Sequence, residues 1–293
     1  MSLETPQEVN FFRGGSSHAR GKRPPAVKGN GVTLKVLLGR LKIINKKIFK
    51  TKHIIRGGIS MKRQIKGLLY TYITDAKHSL SIFWTILLST LFITLMIAYF
   101  LPNADNTKMY FVLSFPIYIY CSIFGFIAVK ESIPFSIKVG ATRKNIFLSI
   151  GIFFIILAFL KAVLTSTLQT ILETITETFG IKTYQLMHPA ELLSNTWLTR
   201  VIIDASVMFF LLSIMFLIGL VFYRYGLLGG GSGVGIFVII LLLGFAQGWL
   251  TDFFMNLYQS FDLTFFYEVL LVGIVLYGIT WFMLRKITTV KVK

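Results

Sequence analysis

The chain has 293 residues, of which 55% are hydrophobic, and its mean hydropathy is +0.72. Soluble domains have roughly 45–50% apolar residues, so the composition excludes an ordinary soluble domain and indicates an integral membrane protein. The net charge of +18 would suggest a nucleic-acid partner in a soluble protein. The single cysteine, Cys121, excludes an intramolecular disulfide and a cysteine zinc cluster.

Residues 1–60 form a basic N-terminal segment rich in Gly and Pro, with RGGSSHARGKRPPAVKGNG as its most biased part. Such composition predicts disorder in the first half, whereas GVTLKVLLGRLKIINKKIF could form a basic amphipathic helix. The alternative is that translation starts at Met61. The codons for Arg56, Gly57 and Gly58 can contain a bacterial ribosome-binding sequence, so residues 1–60 could be translated leader.

Residues 61–81 carry a regular helical pattern. Apolar side chains recur on one face, and lysines and arginines occupy the others. The predicted apolar face comprises Ile65, Leu68, Leu69, Tyr72, Ile73, Ala76 and Leu80. A basic amphipathic helix directly before a membrane span is expected to lie in the membrane interface.

Residues 82–293 are predicted to form an all-α domain of six transmembrane helices. The apolar segments approach or exceed the roughly 17–20 residues that cross the hydrocarbon core. They lie near residues 82–101, 110–129, 146–168, 201–223, 235–251 and 267–284. Seventeen of the 30 lysines and arginines precede residue 82, and nine more follow the second, fourth and sixth spans. This asymmetry predicts a multi-pass protein with both termini cytoplasmic, and it explains the net charge without nucleic acid.

A charged segment between the second and third spans, residues 134–144, is called the elbow below. Pro134 suits the first turn of a short helix, Gly140 its left-handed end, and Thr142 the cap of a helix beginning at Arg143. Cations at a helix N-terminus are disfavoured by the macrodipole, so Arg143 and Lys144 are better explained by membrane orientation or by a partner.

Two ionisable residues fall inside the predicted spans, Lys161 in the third and Asp204 in the fourth. Intramembrane charges are candidates for functional sites. Their predicted depths nearly coincide, so they could form a charge pair if the helices are neighbours. The alternative is that each side chain extends to the nearby membrane interface.

Other motifs are less specific. Glu173, Glu177 and Glu191 in the loop between the third and fourth spans could contact a cationic substrate, or the loop could be a solvated connector. Gly244 and Gly248 have the spacing that permits close helix approach. No phosphate-binding loop motif occurs, and the four histidines lie outside the predicted spans. The sequence therefore predicts no enzyme, catalytic residue, metal or cofactor.

The helix at 61–80, the six spans and the loop sequence IKVGATRKNIF together resemble the permease subunit of a type-2 ABC exporter. The resemblance implies a bacterial cell membrane, an ABC ATPase partner in trans, and a homodimer or a heterodimer with a second permease. It also implies a re-entrant hairpin between spans 5 and 6. The elbow would be the ATPase-coupling loop, with Pro134, Phe135, Ile137, Lys138, Val139, Gly140, Thr142, Arg143 and Lys144 as its residues. The alternative function is a membrane interaction or sensor subunit that does not transport.

Overall fold

The computed structural model describes residues 31–100, 108–181, 183–259 and 262–285; for 31–60, 254 and 257–259 it describes the backbone alone. Two compact units occur, residues 1–56 and 57–293. The helices are α1 (Gly31–Phe100), α2 (Ser114–Lys138), α3 (Arg143–Thr178), α4 (Trp197–Ala246), α5 (Trp249–Gln259) and α6 (Leu263–Arg285). The short strands are β1 (Met109–Phe111) and β2 (Tyr184–Leu186), and a 3-10 helix covers Pro189–Leu192.

Five helices in the described part of the chain are long and apolar enough to cross a membrane: Met61–Phe100 within α1, and α2, α3, α4 and α6. The protein is therefore mostly helical and has the composition of a membrane protein. The structure contains one such helix fewer than the six predicted spans, because α4 covers predicted span 4 and most of predicted span 5, whose last residues lie in α5.

Helix α4 turns sharply at Gly226, whose backbone is not helical (φ 72°, ψ −174°). A β-carbon placed on Gly230 would lie 3.0 Å from the Cα atom of Phe222. Eight residues of straight helix would separate these positions by about 12 Å. The two arms of α4, residues 197–225 and 227–246, therefore fold toward each other at this glycine.

The predicted amphipathic helix 61–81 and the first predicted span lie in one continuous helix. The helix runs from Met61 to Phe100 without a break, since the segment contains no proline to interrupt the backbone hydrogen bonds. One buried stripe continues along its length, comprising Leu68, Tyr72, Ala76, Leu87, Leu91 and Ala98. Ile73, predicted on the apolar face, is 39% exposed.

The backbone of residues 31–60 is helical. A helix was predicted for this half of the basic segment, and whether its faces are amphipathic lies outside the described side chains. The predicted disorder of residues 1–30 and the C-terminal cations after residue 285 lie outside the described residues.

Two glycines allow the backbones of α2 and the first arm of α4 to pack closely where these helices cross. A β-carbon placed on Gly125 would lie 2.7 Å from the carbonyl oxygen of Leu212, and one on Gly219 would lie 3.0 Å from that of Phe126. These close approaches were not predicted. The spacing of Gly244 and Gly248 does not join two long helices, since Gly244 instead faces the ring of Trp249, at the start of α5.

Aromatic side chains join α3, α4 and α6. The ring of Tyr277 on α6 lies 6.0 Å from that of Phe216 and 6.1 Å from that of Phe154, centroid to centroid. The Tyr277 hydroxyl donates a hydrogen bond to the carbonyl oxygen of Phe147 at 2.6 Å. This buried contact fixes the last helix against the start of α3, near the elbow.

At the end of the bundle opposite the elbow, β1 and β2 form a parallel pair with Tyr110 opposite Gln185. The loop after β2 leads into the 3-10 helix, which His188 caps: its Nδ1 atom accepts from the Ala190 amide at 3.0 Å. The Glu191 carboxylate accepts from the His188 amide at 3.1 Å, which completes a capping box. The long loop is thus anchored rather than freely solvated.

Candidate functional site

The elbow is a tight turn between α2 and α3. As predicted, Gly140 has a left-handed backbone (φ 79°), and α3 begins at Arg143. The hydroxyl of Thr142 accepts from the Asn145 amide at 3.4 Å and caps α3, also as predicted. Pro134, in contrast, does not start a separate short helix. It lies inside α2, which continues to Lys138 because the buried side chains of Ile133 and Ser136 hold this last part of the helix against the core.

The three apolar side chains predicted to contact a partner separate into two groups. Phe135 and Val139 are 40% and 64% exposed, and because they are four residues apart they share one helix face. Ile137 is half-buried and packs against the core. Lys138 and Lys144 are exposed near this pair. The elbow therefore presents a small apolar surface flanked by cations.

Buried hydrogen bonds brace the elbow against α1. The hydroxyl of Ser136 donates to the carbonyl oxygen of Ser132 at 2.6 Å, which leaves its own oxygen to accept from Tyr72 at 2.6 Å. The side-chain amide of Asn145 donates a hydrogen bond to Gln64 Oε1 on α1 at 2.6 Å. Tyr72, Ser136 and Asn145 are all buried. Sequence reasoning missed this brace; its only sequence signal is a serine on an otherwise apolar helix face.

Asp204 lies fully buried at the centre of a polar cluster near the opposite end. Its carboxylate accepts hydrogen bonds from Tyr118 Oη at 2.5 Å and Ser114 Oγ at 3.3 Å. His188 Nε2 lies 3.2 Å from the same carboxylate. Because His188 Nδ1 accepts from the Ala190 amide, its proton lies on Nε2, which donates to Asp204. Three separate segments thus converge on one carboxylate.

Lys161 occupies a different environment. Its ammonium nitrogen lies 3.8 Å from the ring centroid of Tyr120 and 4.2 Å from that of Phe83, with Trp84 at 5.7 Å. The residue is 2% exposed, and the nitrogen has no hydrogen-bond partner among the described residues. An aromatic cage therefore holds the cation.

The charge pair considered for Lys161 and Asp204 is not formed, and neither side chain extends to the surface. Asp204 is satisfied by α2 and by His188, whereas rings from α1 and α2 surround Lys161. Equal depth in a membrane does not determine which way two side chains point around their helix axes. The packing of neighbouring helices around each side chain determines which partners it contacts.

Replacing Lys161 by methionine is expected to raise the free energy of unfolding by about 1 kcal/mol. The desolvation of an unpaired buried cation costs several kcal/mol, and contacts with aromatic faces return only about 2 kcal/mol. Chemical denaturation in detergent measures the difference. Lys130→Met, at an exposed position, is the matched control and should leave stability nearly unchanged. A clear loss with Lys161→Met would show that the cage outweighs desolvation.

Glu173 and Glu177, which were predicted in the loop between the third and fourth spans, lie instead in the last turns of α3, and Glu191 lies in the 3-10 helix. Glu173 pairs with Arg200 at 2.9 Å, and Arg200 also donates to Asn195 at 2.7 Å. Glu173, Glu177 and Glu191 line one pocket of about 320 Å³. In the same pocket, burial raises the pKa of Tyr184 above its usual value, opposed by a hydrogen bond with Thr94. Since Glu173 and Glu191 stabilise the loop itself, the geometry gives little support to a cation-binding role.

The described residues contain no group of three His, Cys, Asp or Glu side chains that could hold a metal ion. No protein-family model, curated protein or solved structure matches the chain.

Proposed function

We propose that this protein is the membrane-spanning permease subunit of an ABC exporter in a bacterial cell membrane, without enzymatic activity of its own. Its energy would come from ATP hydrolysed by a separate ATPase subunit that docks on the elbow. The observation that carries this proposal is the elbow surface, where Phe135 and Val139 are exposed beside Lys138 and Lys144. Exposed apolar side chains on a tight turn fit a groove on a partner, and the cations fit an acidic rim.

The brace explains how such a surface could transmit motion. If the docking loop moved independently of the bundle, a conformational change in the ATPase would not be transmitted to the transmembrane helices. Here the buried hydrogen bonds from Tyr72 to Ser136 and from Asn145 to Gln64 join the elbow to α1. A displacement of the elbow would therefore move α1, α2 and α3 together.

Six membrane crossings with both termini cytoplasmic are part of the proposal. The turn at Gly226 supports it, because it divides α4 into arms 197–225 and 227–246, each near or above the roughly 20 residues needed to cross. The exposed Lys130, Lys138 and Lys144 favour a cytoplasmic elbow. The short helix α5 between the last two crossings is compatible with a re-entrant segment.

A dimer with an identical or related permease is also proposed. The second arm of α4 supports it, since its long apolar side chains are largely exposed in the single chain, among them Phe237, Ile240 and Leu243. A second permease or lipid would cover them.

The test is the double variant Phe135→Ser, Val139→Ser in the full chain, expressed with the ATPase of its host. We expect normal membrane insertion, because topology depends on Lys and Arg rather than on these side chains. Co-purification of the ATPase should fall at least tenfold, since two apolar anchors worth roughly 1–2 kcal/mol each are lost, and export should stop.

The matched control is Tyr70→Ser, Ile73→Ser, which removes two exposed apolar side chains of α1 at the same end of the bundle. It should leave ATPase binding unchanged. Ile137→Ser is unsuitable as a docking probe, because Ile137 packs against the core. Undiminished ATPase binding and export in the Phe135, Val139 variant would refute the coupling role of the elbow.

A further inference from the structure

A cleft of about 160 Å³ lies between α1, α2 and α3, near the elbow. Helices α1 and α2 form its two long walls, and two hydrogen bonds join them. Tyr72 of α1 bonds to Ser136 of α2, and Ser79 of α1 bonds to Tyr120 of α2. The two helices are therefore antiparallel along the cleft. From Tyr120 to Glu131 the α2 wall extends about 16 Å, so the cleft is elongated and has two distinct ends.

The end near the elbow is acidic. Asp75 and Glu131 line it from opposite walls, and the antiparallel order places them at similar levels. Each is the sole carboxylate of its segment, 61–100 and 114–138 respectively. Neither forms an ion pair with another described residue, although Lys77 and Lys130 are close in sequence. Two unpaired carboxylates facing one cleft in a chain of net charge +18 create a local site for a cation.

The rest of the cleft is aromatic, from Tyr120 at the far end to Tyr72, whose ring centroid lies 5.9 Å from that of Phe153. The ring centroid of Phe124 lies 5.9 Å from that of Tyr120 and 5.8 Å from that of Phe153 on α3, and all three rings line the cleft. The Lys161 ammonium, 3.8 Å from the Tyr120 centroid, is already at the far end. A second cation would be repelled there and attracted to Asp75 and Glu131, which gives a ligand one preferred orientation.

We propose that this cleft binds a small organic amine with an apolar body. Its ammonium group lies between Asp75 and Glu131, and its body packs against Phe124 and Phe153. The volume suits one aromatic ring with a short chain, since a cavity of about 150 Å³ holds benzene. The two carboxylates supply charge, and the rings supply apolar contact and cation-aromatic attraction. Binding does not depend on an ATPase, so the inference stands apart from the proposed export function.

The test is phenethylamine binding to the full chain in nanodiscs of phosphatidylglycerol, measured by titration calorimetry. Empty nanodiscs correct for partition into lipid. We expect saturable binding of phenethylamine, weaker binding of uncharged 2-phenylethanol, and no binding of phenylacetate. The double variant Asp75→Asn, Glu131→Gln should weaken phenethylamine binding about fivefold to tenfold, the sum of two partly exposed ion pairs, and leave 2-phenylethanol unchanged.

Glu177→Gln, which removes an exposed carboxylate outside the cleft, is the matched control and should bind as the unmodified chain does. Phe124→Ala should weaken the amine and the alcohol alike. The ammonium group could belong to a lipid headgroup or to a free amine, and adding phosphatidylethanolamine to the nanodiscs distinguishes the two. If this lipid lowers the affinity for phenethylamine, its headgroup occupies the cleft. If the affinity is unchanged, a free amine is favoured. Equal affinity for amine and alcohol, or undiminished amine binding by the double variant, would overturn the proposal.

Discussion

Replacing Asp204 by leucine is expected to lower the free energy of unfolding by about 3–5 kcal/mol, because three hydrogen-bond donors would lose their charged acceptor. The carboxylate is fully buried and accepts from Tyr118, Ser114 and His188. Leucine would leave all three donors buried without an acceptor, and each would cost about 1–3 kcal/mol. Denaturation in detergent, followed by helical circular dichroism, measures the loss.

Double-mutant cycles measure how much each neighbour of Asp204 contributes to this loss of stability. Asp204→Leu combined with Tyr118→Phe should show a coupling energy of about 1.5–3 kcal/mol, because their hydrogen bond involves a charged acceptor. Asp204→Leu combined with Lys161→Met should be additive within about 0.5 kcal/mol. A large coupling energy between Asp204 and Lys161 would contradict their separate environments and would indicate that the two side chains form a charge pair.

Replacing Gly125 by alanine is expected to lower the free energy of unfolding by about 1–3 kcal/mol, the usual cost of overpacking a core. Its β-carbon would lie 2.7 Å from the carbonyl oxygen and 3.1 Å from the Cα atom of Leu212. Because these atoms belong to the backbone, the neighbour cannot escape by changing rotamer. Helices α2 and α4 would have to separate.

Gly67→Ala is the matched control for this prediction. Gly67 also lies in a helix, but its β-carbon would meet nothing within 4 Å. Alanine there should raise the free energy of unfolding by about 0.5–1 kcal/mol, through helix propensity alone. The same denaturation assay compares both variants with the unmodified chain. Equal changes in the two would show that the crossing at Gly125 is looser than its geometry indicates.

Features that depend on neighbouring residues could be predicted from the sequence. Long apolar segments, the left-handed Gly140, the cap at Thr142 and the start of α3 at Arg143 all follow from local backbone and side-chain chemistry. The buried positions Leu68, Tyr72 and Ala76 of α1 also follow from helical periodicity. In contrast, the hydropathy pattern changes near residue 82 while the helix continues through it, so hydropathy alone did not show that the two segments form one helix.

Features that depend on distant residues were decided by the tertiary structure. Asp204 meets Tyr118 and His188 across the bundle, and Asp75 shares a cleft with Glu131. No periodicity or spacing encodes such partners, since the rotation of each helix about its axis is set by the whole core. The fold of α4 at Gly226 is similar: glycine permits the backbone angle, but packing between the two arms selects it. The sequence by itself thus determined which segments are helical and apolar, and the packing of those helices decided which polar side chains meet.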